Sequence, residues 1–116
     1  MKIERFEELK GQRLAQVRQI GDDRLVFELE DGREYSLFHE SDCCESVTIE
    51  SVVGDLADLV GEVLIAEESS NNENKPNEYA DSWTWTFYRI GTIKGSVVIR
   101  WLGESNGYYS ESVTFA

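Results

Sequence analysis

The run Ser82-Trp83-Thr84-Trp85-Thr86-Phe87-Tyr88 alternates without a break, and it constrains the chain more than any other stretch. In an extended strand successive side chains point to opposite faces, so Trp83, Trp85 and Phe87 share one face and Thr84, Thr86 and Tyr88 the other. Aromatic and β-branched residues suit a pleated, half-buried surface. The aromatic side, Trp83, Trp85 and Phe87, is therefore expected to line the core. Residues 96–102 form a second strand, apolar on both faces (Val97, Ile99, Trp101; Val98, Leu102), after a turn at 91–95. Asn106-Gly107 is the strongest hairpin signal in the chain. It predicts that 108–115 returns as the last strand, with Ser105 opposite Tyr108, Arg100 opposite Val113 and Glu111 diagonal to Arg100.

Residues 4–10 read as a short helix stopped by Gly11, with Phe6 and Leu9 on one face. Segments 14–20 and 25–29 alternate as strands, and Asp31-Gly32, with both residues at positive φ, is expected to turn 25–30 into 33–38. Residues 47–52 continue as strand. Residues 54–61 read as a turn or two of helix capped by Asp55, and 63–66 are extended again. Residues 67–81, holding the only proline, read as a mobile polar loop. The expected fold class is α+β, a mainly antiparallel β meander or curved sheet with one or two short helices, in a single domain spanning 1–116.

Charge narrows the function. Residues 40–81 hold twelve of the 23 carboxylates and only Lys75 among the 11 basic residues, so nearly all of the net charge of -12 lies there. Such a field repels duplex DNA and membrane phosphates and attracts cations or basic protein surfaces. No apolar run is long enough to span a membrane and the N-terminal residues show no secretory signal, so a cytoplasmic setting is expected. Adjacent Cys43 and Cys44 make a poor disulfide pair and are expected to be reduced.

The stretch His39-Glu40-Ser41-Asp42-Cys43-Cys44-Glu45 gathers the only histidine, both cysteines and three carboxylates. His39, Asp42, Cys43 and Glu45 could offer a mixed N/O/S ligand set to a transition metal, the one cofactor the sequence leaves open. The competing reading is a hydrogen-bonded turn in which His39 meets a carboxylate. A cysteine nucleophile with His39 as base is disfavoured, because the surrounding acids raise a thiol pKa. A second candidate site lies on the aromatic sheet, where Tyr88, Arg100, Asn106 and Tyr109 keep polar tips for a ligand.

These motifs, together with Gly54-Asp55-Leu56-x-Asp58-Leu59, Ala66-Glu67-Glu68, Thr84-Trp85-Thr86-Phe87-Tyr88 and Arg100-Trp101-x-Gly103-x-Ser105-Asn106-Gly107-Tyr108-Tyr109-Ser110, carry a resemblance. The chain resembles, over nearly its whole length, a family of small proteins of phages and prophage-bearing bacteria described as a domain of unknown function. It departs from that pattern at Ser41, where glutamine is expected. The resemblance implies a phage or prophage setting inside a bacterial host cell, and no reaction. The expected function is an accessory binding protein that blocks or sequesters a host component, either a defence protein or a small nucleotide signal, with self-association left open. The alternatives are a metal-dependent enzyme centred on His39, Asp42 and Glu45, and an acidic inhibitor that mimics nucleic acid.

Overall fold

A computed structural model describes residues 2–116; Met1, the first residue of the segment read for a secretory signal, lies outside them. Its longest ladder joins β7 (Ser82–Thr92) to β8 (Gly95–Ser105), the strands expected from the alternation. β4 (Ser46–Val53) pairs with the far side of β8, and β6 (Ile65–Asn71) with the far side of β7, giving the sheet order β4-β8-β7-β6. β1 (Arg13–Ile20), β2 (Arg24–Leu29) and β3 (Glu34–Phe38) form the expected meander. Two-residue strands β5 (Gly61–Glu62) and β9 (Thr114–Phe115) complete a second sheet, β5-β1-β2-β3-β9. All of the pairings are antiparallel.

The two sheets face each other across one core. Leu14, Leu25, Phe27 and Leu37 come from the first, and Tyr88, Ile90, Ile99 and Trp101 from the second. Phe6 plugs the core edge-on against Phe27, Tyr88 and Phe115, with ring centroids 5.9, 4.8 and 5.9 Å away. This is a β-sandwich, and the α part of the expected class is corrected. Among the described residues the helical elements are two 3-10 turns, Phe6–Leu9 and Leu56–Leu59. Each is too short to satisfy an α-helix's end groups. Asp55 does cap the second one, its carboxylate accepting from the amide of Ala57 at 2.9 Å.

The strict alternation in β7 holds, but its inside and outside are reversed from the expectation. Thr86 and Tyr88 are buried, while Trp83, Trp85 and Phe87 lie half-covered on the outer surface. Burying a large side chain is worth about 2 kcal/mol, against a β-propensity scale spanning about 1 kcal/mol, so packing against the opposite sheet selects the face. Tyr88 and Ile90 share their face with Val97, Ile99 and Trp101, whereas the tryptophan face also carries Arg89 and Arg100. The outer tryptophans are roofed instead. Their indole N–H groups donate to the carbonyls of Glu73 and Asn74 at 3.0 Å each, and the Arg100 guanidinium lies 5.0 Å from the Trp85 ring centroid.

Three connections also differ. β6 runs on to Asn71, so the loop expected over 67–81 spans only 72–81. At Asp31-Gly32 only Gly32 has a positive φ (94°), and the turn closes through Leu29 N–H to the Arg33 carbonyl at 2.8 Å. After Ser105 the chain does not pair with β8 as a hairpin. Gly107 does take a positive φ (93°), but residues 106–113 cross to the other sheet, where β9 pairs with β3 through Leu37 and Phe115. The expected opposition of Arg100 and Val113 is therefore absent; Arg100 instead meets Glu50, which a bulge in β4 aims at it, at 2.6 Å from Nε.

Candidate functional site

Two places gather polar groups, and neither is the set expected from the sequence. Tyr88 and Arg100 lie on opposite faces of the same sheet, because Arg100 pairs with Phe87 and Tyr88 with Ile99. Arg100 is neutralised by Glu50 and covers Trp85, so it offers no open phosphate clamp. Asn106 is spent on a local turn, its side-chain oxygen accepting from the amide of Tyr108 at 3.0 Å. Of the four predicted ligand residues, only Tyr88 and Tyr109 line one cavity.

That cavity is a cleft of about 290 Å³ between the inner face of β6 and β7 and the crossing segment 109–113. Ser82, Thr84, Thr86 and Tyr88 supply hydroxyls from one wall, and Glu68 and Ser70 extend it along β6. The segment is held down by Glu111, whose carboxylate accepts from Thr84 Oγ1 at 2.8 Å and Ser105 Oγ at 2.5 Å. Burial pushes Glu111 up, but hydrogen bonds from Ser105, Ser82 and Thr84 outweigh it and leave the carboxyl below its ordinary pKa. Glu68, at the mouth, is raised by burial and then by the charge of Glu7. Tyr88 is pushed well up, by burial first and then by Glu68. Its hydroxyl is buried with no hydrogen bond of acceptable geometry, although Glu68 is near enough to act on it. Close approach makes the crossing possible. A Cβ at Gly103 would stand 2.5 Å from the Glu111 carbonyl oxygen, so only glycine lets the segment lie flat on β8.

The His39 cluster is a strut rather than a ligand set. His39 Nδ1 donates to the Ser112 carbonyl at 2.7 Å, and Nε2 lies 3.0 Å from Glu45 Oε2. Both ring nitrogens are thus engaged, one by a backbone carbonyl and one by a carboxylate, so neither points to an open coordination position. Glu45 is held down to about 2 by its own amide, then by His39, with the amides of Cys43 and Asp42 adding to this against the effect of burial. Cys43 and Cys44 are exposed and joined as a vicinal disulfide, which corrects the expectation of two free thiols. Among the described residues no three His, Cys, Asp or Glu side chains converge as a metal site. Asp42 enters the cluster through its amide, which donates to Glu45 at 3.2 Å.

The second gathering place is one end of the sandwich. β4 and β7 begin there, β8 ends there, and loops 39–45, 72–81 and 106–113 meet over them. A shallow depression runs from Cys44 and Ser46 through Tyr79 and Asp81 to Glu104 and Asn106. Asn77 ties loop 72–81 to the end of β8, donating to Glu104 at 3.1 Å. Tyr79 and Tyr108 stand 84% and 88% exposed at this end. Sequence reasoning passed over Tyr79, and placed neither Glu68 nor Glu111 in a ligand cleft. The cleft's signal was nevertheless present in Ser82, Thr84 and Thr86, an all-hydroxyl face on one strand.

Fold and loops together define a small antiparallel β-sandwich that carries its polar loops at one end. The chain belongs to the family described as a domain of unknown function (DUF7448), whose model matches residues 7–115. No curated protein and no solved structure matches it. No helix among the described residues is long and apolar enough to cross a membrane.

Proposed function

We propose that the protein is an accessory binding protein of a phage or prophage, acting in the cytoplasm of its bacterial host by covering a basic surface of a host protein. The observation that carries this reading is the composition of the loop end. Glu40, Asp42, Glu73, Glu78 and Asp81 are exposed there against one exposed base, Lys75, around Tyr79 and Tyr108. Tyrosine, serine, asparagine and glycine on loops carried by a rigid sandwich are the materials of a protein-binding surface. Tyrosine gives large contact area at low entropic cost, and the small polar residues adapt. The surrounding carboxylates select a partner of opposite sign and speed its approach. A host surface that normally holds nucleic acid meets that description, so the acidic mimic and the blocking protein become one reading. A nucleotide signal is a poorer occupant, because Arg100 is already paired and no Lys or Arg lines the cleft.

The test is affinity purification from infected cells with the wild-type chain and a Tyr79→Ala/Tyr108→Ala variant, in low salt and at about 0.5 M salt, where screening is nearly complete beyond a few ångströms. The expected result is a basic partner held by the wild type at low salt, released by high salt and missing from the variant. Both tyrosines are exposed, so the variant keeps its fold. An identical set of partners on both proteins would remove the loop end from consideration.

A further inference from the structure

The cleft between β6, β7 and segment 109–113 opens on a different set of side chains from the loop-end surface, though the two share the crossing segment, and its chemistry specifies a ligand. We infer that it is a binding site for a small organic cation, an ammonium or guanidinium group at the end of a short chain. Three observations exclude the other classes. No Lys or Arg lines the cleft, while Glu68 and Glu111 both do, so an anion would enter against two carboxylates with nothing to offset them. A metal ion needs its ligands to converge. Glu68 pairs across from Tyr88, whereas Glu111 bonds to Thr84, four residues back and so roughly 13 Å along the strand at about 3.3 Å per residue, and among the described residues no three His, Cys, Asp or Glu side chains converge. That span suits an extended molecule and rules out shared coordination. An apolar ligand would leave a wall of hydroxyls without partners, which is costly when buried.

The group that turns this acidic cleft into a site is Tyr88. Its side chain is fully buried and lines the cleft, its ring is fixed against Phe6, and its hydroxyl lies beside Glu68 without a hydrogen bond of acceptable geometry. Buried polar groups are nearly always satisfied, so one held rigidly in a polar cleft calls for a partner from outside. An ammonium or guanidinium donates to the phenol oxygen and to Glu68 together. Its positive charge also offsets the burial and the Glu7 repulsion that Glu68 otherwise bears. The volume, about 290 Å³, lies at the small end of ligand pockets and fits a metabolite rather than a peptide segment.

The test is an NMR titration of the full chain with putrescine and agmatine, with adenosine monophosphate and a blocked lysine tripeptide in parallel. Either cation is expected to give saturable amide shifts centred on Thr86, Tyr88 and Glu111, and the nucleotide none. Glu68→Gln and Tyr88→Phe should each weaken binding by about tenfold or more. The first changes an exposed residue and the second removes only a hydroxyl, so both variants fold. Absence of saturable shifts with both cations, or equal affinity in both variants, would overturn the assignment. Shifts from the tripeptide alone would also overturn it, by showing that the site takes a partner's side chain rather than a free molecule.

Discussion

His39 Nε2 and Glu45 Oε2 lie 3.0 Å apart with side chains 6% and 0% exposed, and the same imidazole holds the Ser112 carbonyl on its other side. One ring thus links the β3–β4 loop to the chain segment that closes the cleft. Exposed pairs such as Arg18–Glu34 have water as an alternative partner; this pair has none.

The pair sets an acid limit on stability. Glu45 has its folded pKa lowered from 4.5 to about 2, so the folded state binds fewer protons than the unfolded chain between those values. Its contribution is complete above about pH 4.5 and is lost as pH falls toward 2. Urea midpoints measured from pH 6 down to about pH 2.5 should fall along this limb in the wild type. In Glu45→Gln the fall should be shallower and start from a lower plateau. Parallel curves would show that Glu45 titrates normally.

Gly103→Ala should displace segment 109–113, since the new methyl meets the Glu111 backbone. Overpacking of this kind costs roughly 1–3 kcal/mol. The expected outcome is a lower midpoint with chemical-shift changes concentrated at Ser105, Glu111 and Ser112. Shifts spread evenly over both sheets would contradict the close approach.

Trp83→Phe removes the hydrogen bond from the indole to the Glu73 carbonyl but keeps an aromatic ring on the outer face. A net loss of about 1 kcal/mol should raise opening of loop 72–81 by about fivefold, read by hydrogen exchange, with the amides of β7 unchanged. Unaltered exchange in the loop would mean that the indoles do not hold it.

Replacing Cys43 and Cys44 with serine should barely move the thermal midpoint. Both residues are exposed, and a bridge between neighbours closes no loop, so it removes almost no entropy from the unfolded chain. A large drop would point to a structural role that the exposed turn does not show.

The strands of this fold were legible because their periodicity is local. β7 and β8 follow from alternation alone, and Asp55 announced its cap. What alternation does not give is which face turns inward. Trp83, Trp85 and Phe87 look like core by size, but Arg89 shares their face, and carrying the pattern through to Ile90 would have reversed the assignment. Asn106-Gly107 misled for a different reason. A local turn signal says that the chain bends, while the partner of Thr114–Phe115 is chosen by β3, nearly eighty residues earlier. The His39 contacts mix both kinds. Glu45 lies within the motif and one polar turn was foreseen there, but Ser112 is seventy-three residues away and left no trace in the spacing.

The pairing of β9 with β3 also has a consequence in time. Every other strand precedes β9 in the chain, and β3 cannot receive it until the meander has formed. Segments emerging first can fold first, so both sheets can assemble while 106–116 is still unattached. Until Phe115 reaches Tyr35 and Phe6, the wall carrying Tyr109 and Glu111 does not exist, and the hydroxyl face of β7 stands open to water. A newly made chain would thus have loop 72–81 in place before its cleft, and the cleft would be the last part of the sandwich to form.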